Sequence, residues 1–170
     1  MDDWGVKGTG PISLLDGIDY KHRILAPITL NEKVVSFQAR DITNKSHLKY
    51  MACPKRREII DHKHTLYGLD QCSRTHGLVV EGIFDVWRLG PGAVATFGIE
   101  FTKQQVCLLV DRFARVTVVF DDDRQAIKQA RKLQAELEIF GVPTDIIRCA
   151  GDPDTFSDAE LDEIRQHVSK

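Results

Sequence analysis

The second half of this 170-residue chain alternates short apolar runs with amphipathic segments, and this alternation limits the possible folds more than any other feature. Runs rich in β-branched residues predict buried strands at residues 78–80, 93–96, 116–120 and 144–148. Helical spacing predicts helices at residues 102–113, at 124–140 and from Ser157 to about Val168. We therefore expect an α/β fold with a mostly parallel sheet flanked by helices.

Signals at the helix ends support these assignments. Thr102 can cap the first helix, and Ser157 with Glu160 has the spacing of a capping box. Gly141 ends the helix that begins at residue 124. The apolar residues that recur in that helix at three- and four-residue steps are Ile127, Ala130, Leu133, Leu137 and Phe140. They predict one buried stripe.

The first half has a different pattern. Residues 23–29 and 33–40 flank a polar turn at 30–32 and predict an antiparallel hairpin, while no strong helical period is present. We expect a small basic α+β subdomain over residues 1–76, followed by the parallel-sheet domain over residues 77–170.

The charge is unevenly distributed, although the net charge is only −2. Residues 1–74 contain 12 Lys and Arg against 9 Asp and Glu, whereas residues 75–170 contain 11 against 16. Much of the positive charge belongs to one stretch: Arg40, Lys45, Lys49, Lys55, Arg56, Arg57 and Lys63. This stretch would attract a phosphate backbone, and the alternative is a solvated basic loop.

Acidic residues follow two of the predicted strands. Glu81 comes directly after the first strand, and Asp121 and Asp123 come after the third. Ligands bind beyond the carboxyl ends of strands in open parallel sheets, so these three carboxylates can converge on a divalent metal ion. The alternative is that the Asp121–Asp123 run caps the next helix, although one Asp would be enough for a cap.

A third acidic phrase contains Asp152 and Asp154 and follows the last predicted strand. It predicts either a second metal-facing loop or a simple turn. His62 and His64 have no partner at zinc-site spacing, which favours surface histidines.

The cysteines are far apart, without a CxxC pair, and predict reduced thiols. No apolar run approaches the roughly 20 residues of a membrane helix, and the N-terminus lacks the features of a secretory signal. We expect a cytoplasmic protein without membrane attachment.

The acidic phrases resemble the TOPRIM domain, a Rossmann-like domain shared by topoisomerases, primases and some nucleases. Glu81 matches the family's single glutamate, and Asp121 with Asp123 matches its DxD motif. Acidic positions of the primase branch are matched by Asp85, Asp152 and Asp154. The family's glycine after DxDxA is replaced by Ala126. The resemblance implies that these six carboxylates hold metal.

Upstream phrases resemble bacterial (DnaG-like) and phage primases. Residues 37–40 correspond to the family's F-x-G-R, residues 48–54 to its PKYLNSP phrase and residues 62–69 to its HKGxxLYGL phrase. The resemblance implies a primase catalytic core that makes short RNA primers on single-stranded DNA. It also implies residues that line the template or nucleotide groove: Arg40, Lys49, Tyr50 and Lys63.

For this function we expect Glu81, Asp121 and Asp123 to be catalytic and to bind Mg²⁺ or Mn²⁺, with two ions about 3.5–4 Å apart. The expected partners are single-stranded DNA, ribonucleoside triphosphates and either a replicative helicase or a separate zinc-binding module. Two other functions stay open: a TOPRIM nuclease, and a non-catalytic nucleic-acid-binding module that needs a partner.

Overall fold

The computed structural model of the chain describes residues 4–148 and 157–168. Contacts divide the chain into two compact units, Met1–His62 and Lys63–Lys170, which we call the N-terminal and C-terminal units. The segment after His62 joins the C-terminal unit because Tyr67 and Ala95 exchange backbone hydrogen bonds of 3.1 and 3.0 Å. The domain boundary between residues 76 and 77 remains a prediction.

The N-terminal unit contains antiparallel strands. They are β1 (Lys7–Gly8), β2 (Leu14–Leu15), β3 (Ile18–Asp19), β4 (Arg23–Leu30), β5 (Lys33–Asp41) and β6 (Tyr50–Ala52). One sheet has the order β1-β4-β5-β6, and β2 pairs with β3. The predicted hairpin is β4–β5, and its turn residues Asn31 and Glu32 both have positive φ, as a tight two-residue turn requires.

The C-terminal unit has one parallel sheet. Its strands are β7 (His76–Val80), β8 (Ala93–Ala95), β9 (Arg115–Val118) and β10 (Thr144–Ile146), in the order β10-β9-β7-β8. Leu78 pairs with both Ala93 of β8 and Thr117 of β9, so β7 is a central strand. The antiparallel sheet followed by a parallel sheet confirms the predicted fold class.

Four helices complete the C-terminal unit. They are α1 (Ile83–Leu89), α2 (Lys103–Arg112), α3 (Arg124–Ile139) and α4 (Asp158–Val168). Helix α1 packs beside α4, and α2 packs beside α3. The predicted caps are present. Thr102 Oγ1 accepts a hydrogen bond from the backbone N–H of Gln105 at 3.2 Å, and the backbone N–H of Ser157 donates to Glu160 Oε2 at 2.8 Å.

The buried stripe of α3 begins one residue earlier than the sequence suggested. Its buried residues are Ala126, Ala130, Leu133 and Leu137. Ile127 is only half-buried, and Phe140 is 58% exposed because it lies at the C-cap, after the last helical turn. Among residues 4–148 and 157–168, no helix is long and apolar enough to cross a bilayer.

Candidate functional site

Glu81 and Asp121 lie side by side at the carboxyl edge of the parallel sheet. Glu81 follows β7 and Asp121 follows β9, and these strands are hydrogen-bonded neighbours. The backbone N–H of Asp121 donates to Glu81 Oε1 at 3.0 Å. This bond fixes the orientation of the Glu81 carboxyl group at the strand end.

Three neighbouring carboxyl groups act on Glu81 at this edge. The pKa of Glu81 is raised to about 7, with burial as the largest cause. The amide hydrogen bond from Asp121 opposes the rise, whereas the negative charges of Asp121, Asp85 and Asp123 add to it. A divalent cation would remove this repulsion, and an all-oxygen donor set suits Mg²⁺ or Mn²⁺. The donor types therefore suit such an ion. Among the described residues, however, three ligand atoms lie within 4.8 Å of one another only at Glu58, Asp61 and His62, so the oxygens of the carboxylates at this edge must move closer to share one ion.

Asp85 is held in place by the first turn of α1. Its Oδ2 accepts the Gly82 N–H at 2.8 Å, and the residue is 7% exposed. A carboxylate at a helix N-terminus is stabilised by the helix dipole. Asp85 is thus a buried, preoriented member of the carboxylate cluster, which we define as Glu81, Asp85, Asp121 and Asp123.

The three consecutive aspartates have different roles. Asp121 lies beside Glu81, whereas the exposed Asp122 forms an ion pair with Arg148, with Oδ1 and Nη2 2.8 Å apart. Asp123 Oδ1 accepts the amides of Gln125 and Ala126 at 2.7 and 2.9 Å and caps α3. The capping interpretation is therefore right for Asp123, which also contributes negative charge to the cluster.

Ala126 causes no distortion where the family pattern has glycine. It lies in the first turn of α3 with its side chain fully buried. Asp123 has an extended conformation (φ −90°, ψ 160°), so the turn is made without a left-handed residue at this point. Asp152 and Asp154, the remaining predicted metal ligands, lie outside the described residues.

A loop with unusual backbone conformations lies next to Glu81. Phe97 and Gly98 have φ values of 61° and 107°. The Gly98 N–H donates to the Glu81 carbonyl oxygen at 2.8 Å, and Thr96 Oγ1 donates to the carbonyl oxygens of Gly98 and Val80 at 2.8 and 3.2 Å. These hydrogen bonds hold the backbone at Val80 and Glu81 in place.

Gln105 anchors this loop from the protein interior. Its fully buried side chain donates from Nε2 to the carbonyl oxygens of Thr65 and Thr96 at 2.9 and 3.2 Å, and its Oε1 accepts the Thr102 N–H at 3.0 Å. The sequence analysis did not single out Gln105. A glutamine three residues after a Thr cap is the signal that could have identified it.

Lys63 belongs to the C-terminal unit, whereas the other predicted nucleic-acid residues belong to the N-terminal unit. Its Nζ donates to three carbonyl oxygens of the same loop, those of Thr96, Phe97 and Glu100, at 3.0, 3.1 and 2.8 Å. Lys63 therefore supports the loop, and its proposed contact with nucleotide remains a prediction.

We expect Lys63→Met to lower the stability of the chain by about 2 kcal/mol without any nucleic acid, because three carbonyl groups lose a charged donor. Urea denaturation measures this loss. Lys128→Met, which removes an exposed cation from α3, is the matched control and should change stability by less than about 0.5 kcal/mol. Equal effects of the two substitutions would contradict the supporting role of Lys63.

The other three predicted nucleic-acid residues form a cluster in the N-terminal unit. Arg40 and Tyr50 are paired across β5 and β6, and Arg40 Nη1 donates to the Tyr50 hydroxyl at 2.9 Å. Lys49 Nζ lies 6.0 Å from the centre of the Tyr50 ring. We call Arg40, Lys49 and Tyr50 the basic–aromatic cluster.

Part of the basic stretch is paired within the protein. Asp16 accepts hydrogen bonds from Arg56 Nε at 2.8 Å and from Arg57 Nη2 at 2.9 Å, and these guanidinium groups hold the pKa of Asp16 well below its usual range. Arg56 and Arg57 are thus engaged with a carboxylate. The basic–aromatic cluster is the part of the stretch that combines cations with an aromatic ring.

One group of polar side chains was missed by the sequence analysis. His62, which we expected to be a surface histidine, has a side chain only 20% exposed, and its Nδ1 lies 2.8 Å from Glu58 Oε1. Asp61 lies beside them. The i,i+4 spacing of Glu58 and His62 was the available signal.

A protein family described as Toprim-like matches residues 78–157 of the sequence. Comparison with curated protein sequences gives no match. The family match begins within β7 and includes every predicted metal ligand.

Several solved structures are similar in fold to most of this chain. The Aquifex aeolicus primase (zinc-binding and RNA polymerase domains) is 25% identical over 93% of this chain and 43% of that chain, with a TM-score of 0.77. The E. coli primase catalytic core is 25% identical over 98% and 58% of the two chains, with a TM-score of 0.75.

A DnaG primase catalytic domain bound to single-stranded DNA is 27% identical over 86% of this chain and 51% of that chain, with a TM-score of 0.73. The chain thus spans about half the length of the solved structures that it matches.

Proposed function

We propose that the chain makes short RNA primers on single-stranded DNA by metal-dependent nucleotidyl transfer, because residues 78–157 match a Toprim-like family and the chain has the fold of bacterial primase catalytic cores. The observation that carries the proposal is the placement of Glu81 beside Asp121 at the carboxyl ends of neighbouring parallel strands, where the Asp121 N–H donates to Glu81 Oε1. Burial, and then the charges of Asp121, Asp85 and Asp123, raise the pKa of Glu81. A buried carboxyl group near other carboxyl groups is typical of sites that bind cations.

In this proposal Glu81, Asp121 and Asp123 hold the primary Mg²⁺ or Mn²⁺. Asp85, together with Asp152 and Asp154, holds or orients a second ion. When bound, such ions assist deprotonation of the attacking 3′-hydroxyl and neutralise the leaving pyrophosphate. The hydrogen bonds from the Asp121 and Gly82 amides orient two of the carboxylates in advance, which reduces the reorganisation needed on binding.

The basic–aromatic cluster is the proposed binding site for template or nucleotide. Arg40 and Lys49 would contact phosphates, and the Tyr50 ring would pack against a base or sugar. The hydrogen bond between Arg40 and the Tyr50 hydroxyl supports this role because it orders both side chains before binding. Lys63 is a further proposed nucleotide contact.

The proposed partners are single-stranded DNA and ribonucleoside triphosphates, together with a replicative helicase or a separate zinc-binding module. The proposed domains are a basic N-terminal subdomain over residues 1–76 and a catalytic domain over residues 77–170. The cytoplasm is the proposed location.

Primer synthesis on single-stranded DNA with ribonucleotides and Mg²⁺ or Mn²⁺ tests the function. We expect metal-dependent primers from the wild type and at least about 100-fold less product from Asp121→Ala, because even partners of metal ligands typically contribute 10–100-fold. Asp122→Ala is the matched control, since the adjacent exposed carboxylate pairs with Arg148. Its rate should stay within about twofold of the wild type.

The same assay separates the alternatives. Metal-dependent cleavage of the DNA, abolished by Asp121→Ala, would replace the primase with a nuclease. Template binding with neither primers nor cleavage, even after a zinc-binding module is added, would identify a non-catalytic binding module.

A further inference from the structure

Three side chains in the N-terminal unit come together at spacings that suit one metal ion. His62 Nδ1 lies 2.8 Å from Glu58 Oε1 and 3.5 Å from Asp61 Oδ1, and one ligand atom of each residue lies within 4.8 Å of the other two. In a tetrahedral site with bonds of about 2.0–2.1 Å, the ligand atoms are about 3.3 Å apart. Small side-chain movements would therefore place all three around one ion.

The Glu58 carboxylate is nearly fully buried, and, among the described residues, one of its oxygens takes all of its hydrogen bonds. Its side chain is 3% exposed. Oε1 accepts from Ser36 Oγ at 2.7 Å and from the His62 N–H at 3.2 Å, and the His62 ring lies against the same oxygen. Within the described part of the chain, the hydrogen bonds to this carboxylate all go to Oε1. A buried carboxylate of this kind gains from a further positive partner at Oε2.

The segment that carries these residues is fixed to strand β5. The N–H groups of Ile59 and Ile60 donate to the Val35 carbonyl oxygen at 2.8 and 3.4 Å, and the neighbouring Ser36 orients Glu58. Ligands held by hydrogen bonds from outside the ligand set bind metal with less reorganisation. The backbone is therefore already arranged for binding.

The exposed fraction of the three side chains increases from Glu58 through His62 to Asp61. It rises from 3% at Glu58 to 20% at His62 and 35% at Asp61. An ion can therefore enter from the solvent on the Asp61 side and meet the buried carboxylate at the bottom. Solvent can complete its coordination on the open side.

We propose that Glu58, Asp61 and His62 form a binding site for one Zn²⁺ ion, completed by water. The imidazole nitrogen distinguishes this site from the all-oxygen carboxylate cluster, because nitrogen ligands favour Zn²⁺ over Mg²⁺. The ion would join His62 to the segment that is anchored on β5. This site does not depend on the proposed primase function.

Isothermal titration of the full chain, without an affinity tag, with Zn²⁺ in millimolar Mg²⁺ tests the site. The background variant carries Glu81→Gln and Asp121→Asn, so that the carboxylate cluster does not compete. We expect one Zn²⁺ per chain, and at least a tenfold weaker affinity in Asp61→Asn, the substitution at the most exposed ligand. His64→Gln, at the exposed histidine two residues away, is the matched control and should bind as tightly as the background.

Folding and binding are separated by a second measurement. Circular dichroism of Asp61→Asn without metal should match the background variant, and only the background should gain thermal stability on addition of Zn²⁺. Absence of Zn²⁺ binding at sub-millimolar concentrations would overturn the proposal. Unchanged Zn²⁺ affinity in the double variant that carries both Asp61→Asn and His62→Gln would overturn it as well.

Discussion

Glu81→Gln is expected to reduce metal-dependent turnover at least about 100-fold while making the metal-free chain more stable above pH 7. Turnover falls because the neutral amide is a weaker ligand for a hard divalent cation. Stability rises because the substitution removes a half-buried negative charge that is repelled by Asp121, Asp85 and Asp123. The same carboxylate thus favours the reaction and disfavours the metal-free fold.

The stability difference depends on pH in a defined direction. The pKa of Glu81 in the folded chain is about 7, above its ordinary value of 4.5. The folded chain therefore binds the proton more tightly, and the stability gained from that proton is present below pH 4.5 and is lost as the pH rises towards 7. With allowance for the partial exposure of Glu81, the loss is of the order of 1–3 kcal/mol.

Urea denaturation in a chelator at pH 4.5 and pH 8 measures this difference. Glu81→Gln and the wild type should be similarly stable at pH 4.5, and the variant should be more stable at pH 8. Added Mg²⁺ or Mn²⁺ should stabilise the wild type at pH 8 and should leave Glu81→Gln nearly unchanged. Asp122→Asn is the matched control. Equal stability of variant and wild type at pH 8 would show that ionisation of Glu81 does not destabilise the metal-free fold.

Gln105→Leu is expected to destabilise the chain by about 3 kcal/mol or more. The substitution keeps the volume and the helix propensity nearly constant but leaves buried backbone groups of Thr65, Thr96 and Thr102 without the side chain that satisfies them. Each unsatisfied buried group costs about 1–3 kcal/mol, and Lys63 Nζ still serves the Thr96 carbonyl. Urea denaturation and the thermal midpoint both measure the effect.

Gln104→Leu is the matched control because Gln104 is exposed on the same helix. It should change stability by less than about 0.5 kcal/mol. Amide exchange at Gly98 should accelerate in Gln105→Leu and not in Gln104→Leu, since the Gly98 N–H is bonded to the Glu81 carbonyl oxygen within the loop that Gln105 anchors. Unchanged exchange in both variants would exclude this anchoring role.

The placement of Glu81 beside Asp121 was predictable from the sequence because it depends on sheet topology. Glu81 and Asp121 follow strands of one parallel sheet, and the carboxyl ends of neighbouring parallel strands meet at the same edge. The cap at Thr102 was predictable for a similar reason, since its hydrogen bonds span three residues. Helix caps and the pairing of strand ends can both be predicted from the order of residues.

Other features depend on contacts that the order of residues does not reveal. Helix α1 has seven residues, too few for a helical period to be recognised. Glu58 is oriented by Ser36 at a separation of 22 residues, and Lys63 is bonded to carbonyl groups more than 30 residues away. The role of Gln105 likewise depends on a loop from another part of the chain. These arrangements are set by tertiary packing.

Asp123 both caps helix α3 and adds negative charge near Glu81, and substitutions in related chains could separate these two roles. Its Oδ1 begins helix α3, a task that Asn, Ser or Thr performs nearly as well, whereas only a carboxylate contributes negative charge to the cluster. A related chain with Asn or Ser at this position would keep the helix start and the fold while its cluster lost a charge. Under the proposed function, such a chain is expected to keep the fold and to lose much of its metal-dependent activity.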